Sequence, residues 1–180
     1  MIARSEALQI LQSMTQSASL LRHARTVELV MEALAKKYDE NVQQFSIAGL
    51  LHDADYEKYP DQHPKVIVQQ LEEMGEAEIA YAIAGHYSKW GVPRNSLLDK
   101  CLLAADELTG FIYACALIRP TKIEGLTAKS VMKKLKNKKF AASVDREEVY
   151  LGAELLDMDI RDLITFIIKV LEENRVEIEL

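Results

Sequence analysis

The chain has 180 residues, of which 49% are hydrophobic and 28% are charged, and its formal net charge is −6. This length supports one compact domain with a core of its own, and seven glycines and four prolines are too few for a disordered chain. The negative charge argues against a broad basic face for nucleic acid, although it leaves room for a local basic pocket.

Two features of the sequence bear on its compartment. The N-terminal segment lacks the basic and then apolar pattern of a signal peptide, and no apolar run approaches the roughly 18 residues that span a bilayer. Cys101 and Cys115 both lie in apolar helical sequence, which is typical of reduced thiols in a core. We therefore expect a cytoplasmic protein with no membrane segment. Its oligomeric state stays open, with a homodimer as one option.

Apolar residues recur at helical spacing along nearly the whole chain, and no stretch alternates as a strand does. The pattern predicts an all-α fold of about eight to nine helices in a single domain covering residues 1–180. The predicted helices cover residues 3–14, 19–38, 39 or 41 to 51, 64–75, 76–87, 96–118, 127–139, 146–156 and 160–173. Residues 175–180 are expected to fray or to add a short extended piece.

The four histidines of the chain share one property. His23, His52, His63 and His86 each fall on or at the end of an apolar helical stripe, and Asp106 does the same. An inward-facing carboxylate loses several kcal/mol in desolvation unless a cation or hydrogen bonds offset the loss. A single histidine of this kind is more often an ordinary core or surface residue, but five such positions together indicate a metal site.

His52 and Asp53 are adjacent at the point where a predicted helix gives way to a polar loop. Inside a regular helix, neighbouring side chains diverge by about 100 degrees and could not bind one ion. At a fraying helix end the two side chains can converge. The position of the pair therefore favours a shared site.

The order of these residues, on predicted helices, resembles the HD-domain superfamily of metal-dependent phosphohydrolases. The similarity covers roughly residues 19–113. The runs GLLHDADYE at 49–57 and AADELTG at 104–110, with the His63-Pro64 pair, look like a group of small, stand-alone bacterial HD proteins. The resemblance implies an HD core at about 19–118, followed by a helical extension at about 127–174.

The resemblance also implies the ligands of one or two divalent ions, whose identity (Fe, Mn, Zn, Ni, Co or Mg) stays open. The first ion would be held by His23, His52, Asp53 and Asp106. His63 and His86 match the additional histidines of two-metal members, in which the aspartate of the pair bridges both ions. Tyr87 stands where members with a fuller second site have another histidine, and the Gly-Tyr-Pro motif of cyclic-dinucleotide phosphodiesterases is absent.

The implied reaction is hydrolysis of a small phosphorylated compound, such as a nucleotide or a dinucleoside polyphosphate, by metal-activated water. Candidates for a direct part in catalysis are Asp53, Asp55 and Lys58. Candidate phosphate-binding residues are Lys65, Lys89, Arg94, Arg119 and Lys122, although each such cation is more often a solvated side chain. The alternative is a non-catalytic regulatory module that binds a metal or a nucleotide.

Two further features have both a functional and an ordinary interpretation. The basic run of Lys129, Lys133, Lys134, Lys136, Lys138 and Lys139 could steer an anionic nucleotide or contact RNA, but such runs are usually solvated helix faces. Tyr87 and Trp90 could stack on a base, or they could simply pack at the rim of the site.

Overall fold

A computed structural model describes all 180 residues of the chain and contains only helices and turns. The prediction of an all-α fold is confirmed. The helices are α1 (Arg4–Met14), α2 (Ala18–Tyr38), α3 (Val42–Leu51), α4 (Lys65–Glu73), α5 (Ala77–His86), α6 (Leu97–Leu117), α7 (Ala128–Leu135), α8 (Arg146–Leu155) and α9 (Ile160–Glu173), with a 3-10 turn at Ser88–Trp90. None of these helices combines the length and the apolar character needed to cross a membrane.

The chain forms two compact units, Met1–Leu102 and Leu103–Leu180, and the boundary between them lies inside α6. That the chain is a single domain stays a prediction. The predicted helix ends lie within a few residues of the observed ones. The exception is α7, which ends at Leu135, whereas the sequence predicts a helix to residue 139.

In the first unit, α2 and α3 cross closely at Gly49. A Cβ atom at this position would lie 2.9 Å from the Cα of Glu28, closer than real Cβ contacts come. Only glycine therefore lets the two backbones approach this far. The crossing comes five residues after His23 and three residues before His52, so it brings these two histidines together.

Glu28 is buried on the inner side of α2. The sequence pattern places this residue mostly outside the apolar stripe, and that expectation is wrong because Glu28 is 0% exposed. Its carboxylate accepts hydrogen bonds from Arg4 Nε at 2.5 Å, from Arg4 Nη2 at 2.8 Å and from Ser46 Oγ at 2.8 Å. Arg25 Nη1 lies 2.8 Å from the same carboxylate. These partners join α1, α2 and α3, which is why a buried charge is tolerated here.

The loop after α3 is fastened to the end of α1. Thr15 Oγ1 donates to the carbonyl of Ala54 at 2.9 Å. Glu57 Oε2 accepts from the backbone N–H of Ser17 at 3.0 Å and of Gln16 at 2.7 Å, and these bonds lower the pKa of the Glu57 carboxyl. The segment directly after His52 and Asp53 is therefore fixed to the end of α1.

The second unit has its own close helix crossing and a packed terminus. A Cβ at Gly152 in α8 would lie 2.6 Å from the Cα of Ala104 in α6, so these two helices also approach through a glycine. The expectation that residues 175–180 fray or form a short extended piece is wrong, because they form packed turns. Ile178 is 1% exposed, and its carbonyl accepts the hydroxyl of Tyr113 at 2.8 Å.

Candidate metal centre

Four helix ends of the first unit bring five side chains to one place. His23 lies on the second turn of α2, His52 follows the last residue of α3, and Asp53 comes next. His63 comes two residues before α4, joined to Pro64 by a cis peptide bond, and His86 is the last residue of α5. One potential ligand atom each from Asp53, His63 and His86 lies within 4.8 Å of the others.

The two oxygens of Asp53 face two different pairs of histidines. Oδ2 lies 3.5 Å from the Nε2 of His52 and 3.9 Å from the Nε2 of His23. Oδ1 lies 3.3 Å from the Nε2 of His63 and 3.5 Å from the Nε2 of His86. One carboxylate thus stands between two sets of imidazole nitrogens.

Three of the histidines are oriented by a partner on their other ring nitrogen. His52 Nδ1 donates to the carbonyl of Gly49 at 2.8 Å, and His86 Nδ1 donates to the carbonyl of Ile83 at 2.5 Å. His63 Nδ1 donates to Asp55 Oδ1 at 2.7 Å. Because these partners only accept, each neutral ring carries its lone pair on Nε2, the atom that faces Asp53.

Charge and protonation make this cluster suited to a cation. Burial raises the pKa of the Asp53 carboxyl, but the positive charge that His52 and His86 carry when protonated, together with the hydrogen bonds they then donate, outweighs burial and holds the pKa well below its usual range. Asp53 is therefore an anion at neutral pH. When the rings are neutral, their Nε2 lone pairs face the carboxylate, and a bound cation would take the place of the missing protons. The donor set fits a divalent ion that accepts nitrogen and oxygen ligands.

The cluster is partly open to solvent, and two tyrosine rings lie beside one of its histidines. The side chains of Asp53 and His23 are 25% and 23% exposed, whereas that of His52 is fully buried. The ring centroids of Tyr56 and Tyr87 each lie 5.4 Å from that of His63. Solvent therefore reaches Asp53 and His23, and we call the two tyrosine rings beside His63 the rim of the cluster.

Asp55 has a different place from the one expected. The sequence predicts a polar loop here, where carboxylates are commonly exposed, but Asp55 is 0% exposed. One oxygen accepts from His63, and the other accepts the N–H groups of Val66 at 3.0 Å and Ile67 at 3.1 Å in the first turn of α4. With both oxygens engaged, Asp55 is arranged to orient His63 and to cap α4 rather than to exchange protons with a substrate.

The candidate phosphate-binding cations of the first unit differ in their contacts. Lys58 Nζ donates to the carbonyl of Ser13 at 3.4 Å, which directs it toward α1. Lys65 is an exposed first residue of α4, and the Lys89 ammonium lies 5.5 Å from the ring centre of Tyr87. Arg94 Nη2 donates to Ser88 Oγ at 2.6 Å, and its buried Nε has no hydrogen-bond partner.

The remaining candidates belong to the second unit. Asp106 lies on α6 and is half-buried. Burial, followed by the charges of Asp106 and Glu148, raises the pKa of the neighbouring Glu107 to about 8. Arg119 Nη1 donates to the carbonyl of Lys122, and Lys122 Nζ donates to the carbonyl of Glu179, both at 2.6 Å. These contacts leave the predicted phosphate-binding role of Arg119 and Lys122 a prediction.

Comparison with known proteins identifies the family. The model of the HD domain family matches residues 20–110, which is half of the chain. The chain belongs to the HD domain family. The matched region of this HD protein includes all six predicted metal ligands. No curated protein and no solved structure matches the chain significantly.

HD domain proteins are generally metal-dependent hydrolases, and the cluster around Asp53 provides the nitrogen and oxygen ligands that such a hydrolase needs. Three groups that orient the histidines were missed in the sequence: the carbonyls of Gly49 and Ile83, and the Asp55 carboxylate. Backbone carbonyls leave no sequence signal. The sequence places Asp55 and His63 in the same loop, but only the conformation of that loop shows that their side chains meet.

Proposed function

We propose that this HD protein is a metal-dependent phosphohydrolase acting on a small phosphorylated compound, such as a nucleotide or a dinucleoside polyphosphate. The observation that carries the proposal is the position of Asp53 between two histidine pairs, with one oxygen toward each pair. A structural metal site usually closes around four protein ligands, whereas this cluster presents two sets that share a carboxylate and opens to solvent.

Two ion positions follow from these sets. We propose that His23 and His52 share Asp53 in the first set and that His63 and His86 share it in the second. Asp106 stays a predicted ligand of the first set, on the family resemblance alone. A divalent cation supplies the Lewis acidity that activates water at neutral pH and neutralises charge on the phosphoryl oxygens. The protein contributes fixed imidazole tautomers, an ionised Asp53 and buried surroundings that keep both sets of ligands in place.

A nucleotide fits the rim of the cluster. Tyr56 and Trp90 are 49% and 40% exposed, so their rings are available for stacking on a base. Lys65 and Lys89 are exposed cations on segments that directly follow the ligands His63 and His86. The buried Nε of Arg94 is a donor that a phosphoryl oxygen would satisfy.

The proposal is tested by measuring phosphate release from a panel of mono-, di- and dinucleoside phosphates, with Mn, Fe, Co, Ni or Mg added in turn. We expect turnover of at least one compound, dependent on the metal and abolished by a chelator. Arg94→Gln should raise KM because it removes a charge at the rim. Lys100→Gln, at a half-buried lysine in the same unit, is the matched control and should leave KM unchanged.

The same experiment separates the enzyme from a non-catalytic binding module. A protein that holds metal by elemental analysis but hydrolyses nothing in the panel would contradict the proposal and favour a regulatory module. Turnover that persists after complete removal of the metal would contradict the proposed role of the cluster.

A further inference from the structure

The positive charge of the chain is concentrated in one segment. Residues 119–146 contain nine lysines and arginines and two acidic residues, which gives this segment a formal charge of +7 and leaves −13 for the rest of a chain whose total is −6. We call the surface of this segment the basic surface. A charge asymmetry of this size favours a polyanionic partner.

The basic surface is held in a fixed shape by Arg146. Its Nη1 donates to the carbonyls of Ala141 and Val144, both at 2.6 Å, and its Nη2 donates to the carbonyl of Phe140. The ring of Phe140 in turn packs edge-on against Phe111, with centroids 5.5 Å apart. Since the loop after α7 is already ordered, binding a ligand through its lysines does not require its backbone to be ordered first.

Two depressions open on the basic surface, with volumes of about 350 Å³ and about 370 Å³. Each is at the lower end of the volumes of small-molecule pockets. In the first, Arg119, Lys133 and Lys134 stand beside the apolar Ile118 and Leu126. In the second, Lys136 and Lys138 stand beside Leu135, Val144 and Tyr150. Both combine cations with apolar walls.

This combination is the one that single-stranded nucleic acid needs. Lysines along a groove bind backbone phosphates, and exposed aromatic rings stack on bases. Tyr150 is 44% exposed in the second depression and is available for stacking. An anionic bilayer fits less well, because the apolar face of α7 is not free to insert beside the lysines. The residues of that face, Val131 and Leu135, are buried, and α7 packs on α9.

We propose that the basic surface binds single-stranded nucleic acid, with phosphates on Lys136 and Lys138 and a base stacked on Tyr150. The net negative charge of the whole chain argues against a broad basic face for nucleic acid. It leaves room for a local basic surface, such as this segment with its formal charge of +7. The proposal does not depend on the metal cluster. It assigns to the second unit a role in recognition of a polyanion.

The test is fluorescence anisotropy with labelled oligouridine RNA and oligothymidine DNA of roughly 12 nucleotides, within the usual site sizes for such surfaces. We expect the full-length protein to bind at low salt and to lose affinity as salt increases. The double variant Lys136→Ala/Lys138→Ala should bind more weakly, and its salt slope should be smaller by up to about 1.4. Tyr150→Leu should lower affinity about tenfold with an unchanged slope.

The matched control is Lys36→Ala/Lys37→Ala, which removes two exposed lysines from the last turn of α2 and causes the same change in net charge. This control should retain affinity. Equal weakening by both double variants, or no binding by the wild-type protein, would overturn the proposal. Leu117 and Ile118 are each 54% exposed, so vesicles containing phosphatidylserine are tested as well. Binding to vesicles without binding to either oligonucleotide would assign the surface to lipid instead.

Discussion

His63 and Asp55 form a buried pair in which the Nδ1 of the ring donates to a carboxylate oxygen at 2.7 Å. The second oxygen of Asp55 accepts two N–H groups from the start of α4, so the carboxylate cannot rotate away. The pair therefore fixes which nitrogen of His63 faces Asp53. Such carboxylate–histidine pairs hold metal-binding rings in the correct tautomer.

Replacing Asp55 by Asn tests this pair with little change in shape. The Asn oxygen can still accept from α4, but its NH2 group then faces His63 Nδ1 and favours the tautomer that carries a proton on Nε2. We expect metal affinity to fall about 10- to 100-fold, with the fold retained. A competition titration with a chromophoric chelator measures the affinity. Asp61→Asn, at an exposed carboxylate of the same loop, is the control, and equal affinity in both variants would contradict this role for Asp55.

The crossing of α2 and α3 predicts the effect of Gly49→Ala. The added methyl group would lie 2.9 Å from the backbone of Glu28, so the helices must separate. We expect the free energy of unfolding to decrease by about 1–3 kcal/mol. Gly85→Ala in α5 is the matched control. The added Cβ atom would have its nearest contact at 3.8 Å, an ordinary van der Waals distance. Helix propensity favours alanine over glycine by up to about 1 kcal/mol. Urea denaturation of both variants gives the comparison, and a neutral Gly49→Ala would contradict the close crossing.

The buried carboxylate of Glu28 should be one of the more sensitive positions for stability. Glu28→Gln removes the negative charge that Arg4 and Arg25 face. We expect the free energy of unfolding to decrease by about 2–3 kcal/mol. Water compensates part of the effect, because Arg4 is partly exposed. Glu173→Gln breaks an exposed pair with Lys169 and should change stability by less than about 0.5 kcal/mol. Indistinguishable urea midpoints for the two variants would show that the Glu28 pairs contribute little.

The two cysteines should be unreactive in the folded protein. Cys101 is 0% exposed and Cys115 is 2% exposed. Burial raises the pKa of the Cys101 thiol to about 12 and that of the Cys115 thiol to about 11. Both thiols therefore stay protonated at pH 8, and labelling by a disulfide reagent should follow the rate of unfolding. The denatured protein should label at both positions, and rapid labelling of the native protein would contradict this burial.

The helices could be predicted from the sequence because apolar spacing and capping residues are local signals. Asp39 and Asn41, for example, are both good cap residues at the start of α3, and the structure shows that the side chain of Asn41 accepts the N–H of Gln44. The length of α7 was mispredicted because lysines are good helix formers. The loop at 137–144 is instead held by contacts with Arg146, a residue that comes after the loop and that local propensity does not reveal.

The positions of the candidate ligands could be predicted, but the groups that orient them could not. The sequence showed that His52 and Asp53 stand at a helix end, where their side chains converge to 3.5 Å. The burial of Asp55 and Glu28 could not be predicted, because the donors that surround each carboxylate include groups far from it in the sequence. Both are long-range contacts that depend on how the helices pack.

The most direct test of the metal centre is the metal content of Asp53→Ala, measured by elemental analysis beside the wild-type protein and Asp61→Ala after the same reconstitution and desalting. Asp53 faces both histidine pairs, so its removal should empty both sets of ligands together. We expect the wild-type protein and Asp61→Ala to retain equal amounts of divalent metal and Asp53→Ala to retain almost none. Full metal content in Asp53→Ala would contradict the shared carboxylate and, with it, the proposed centre.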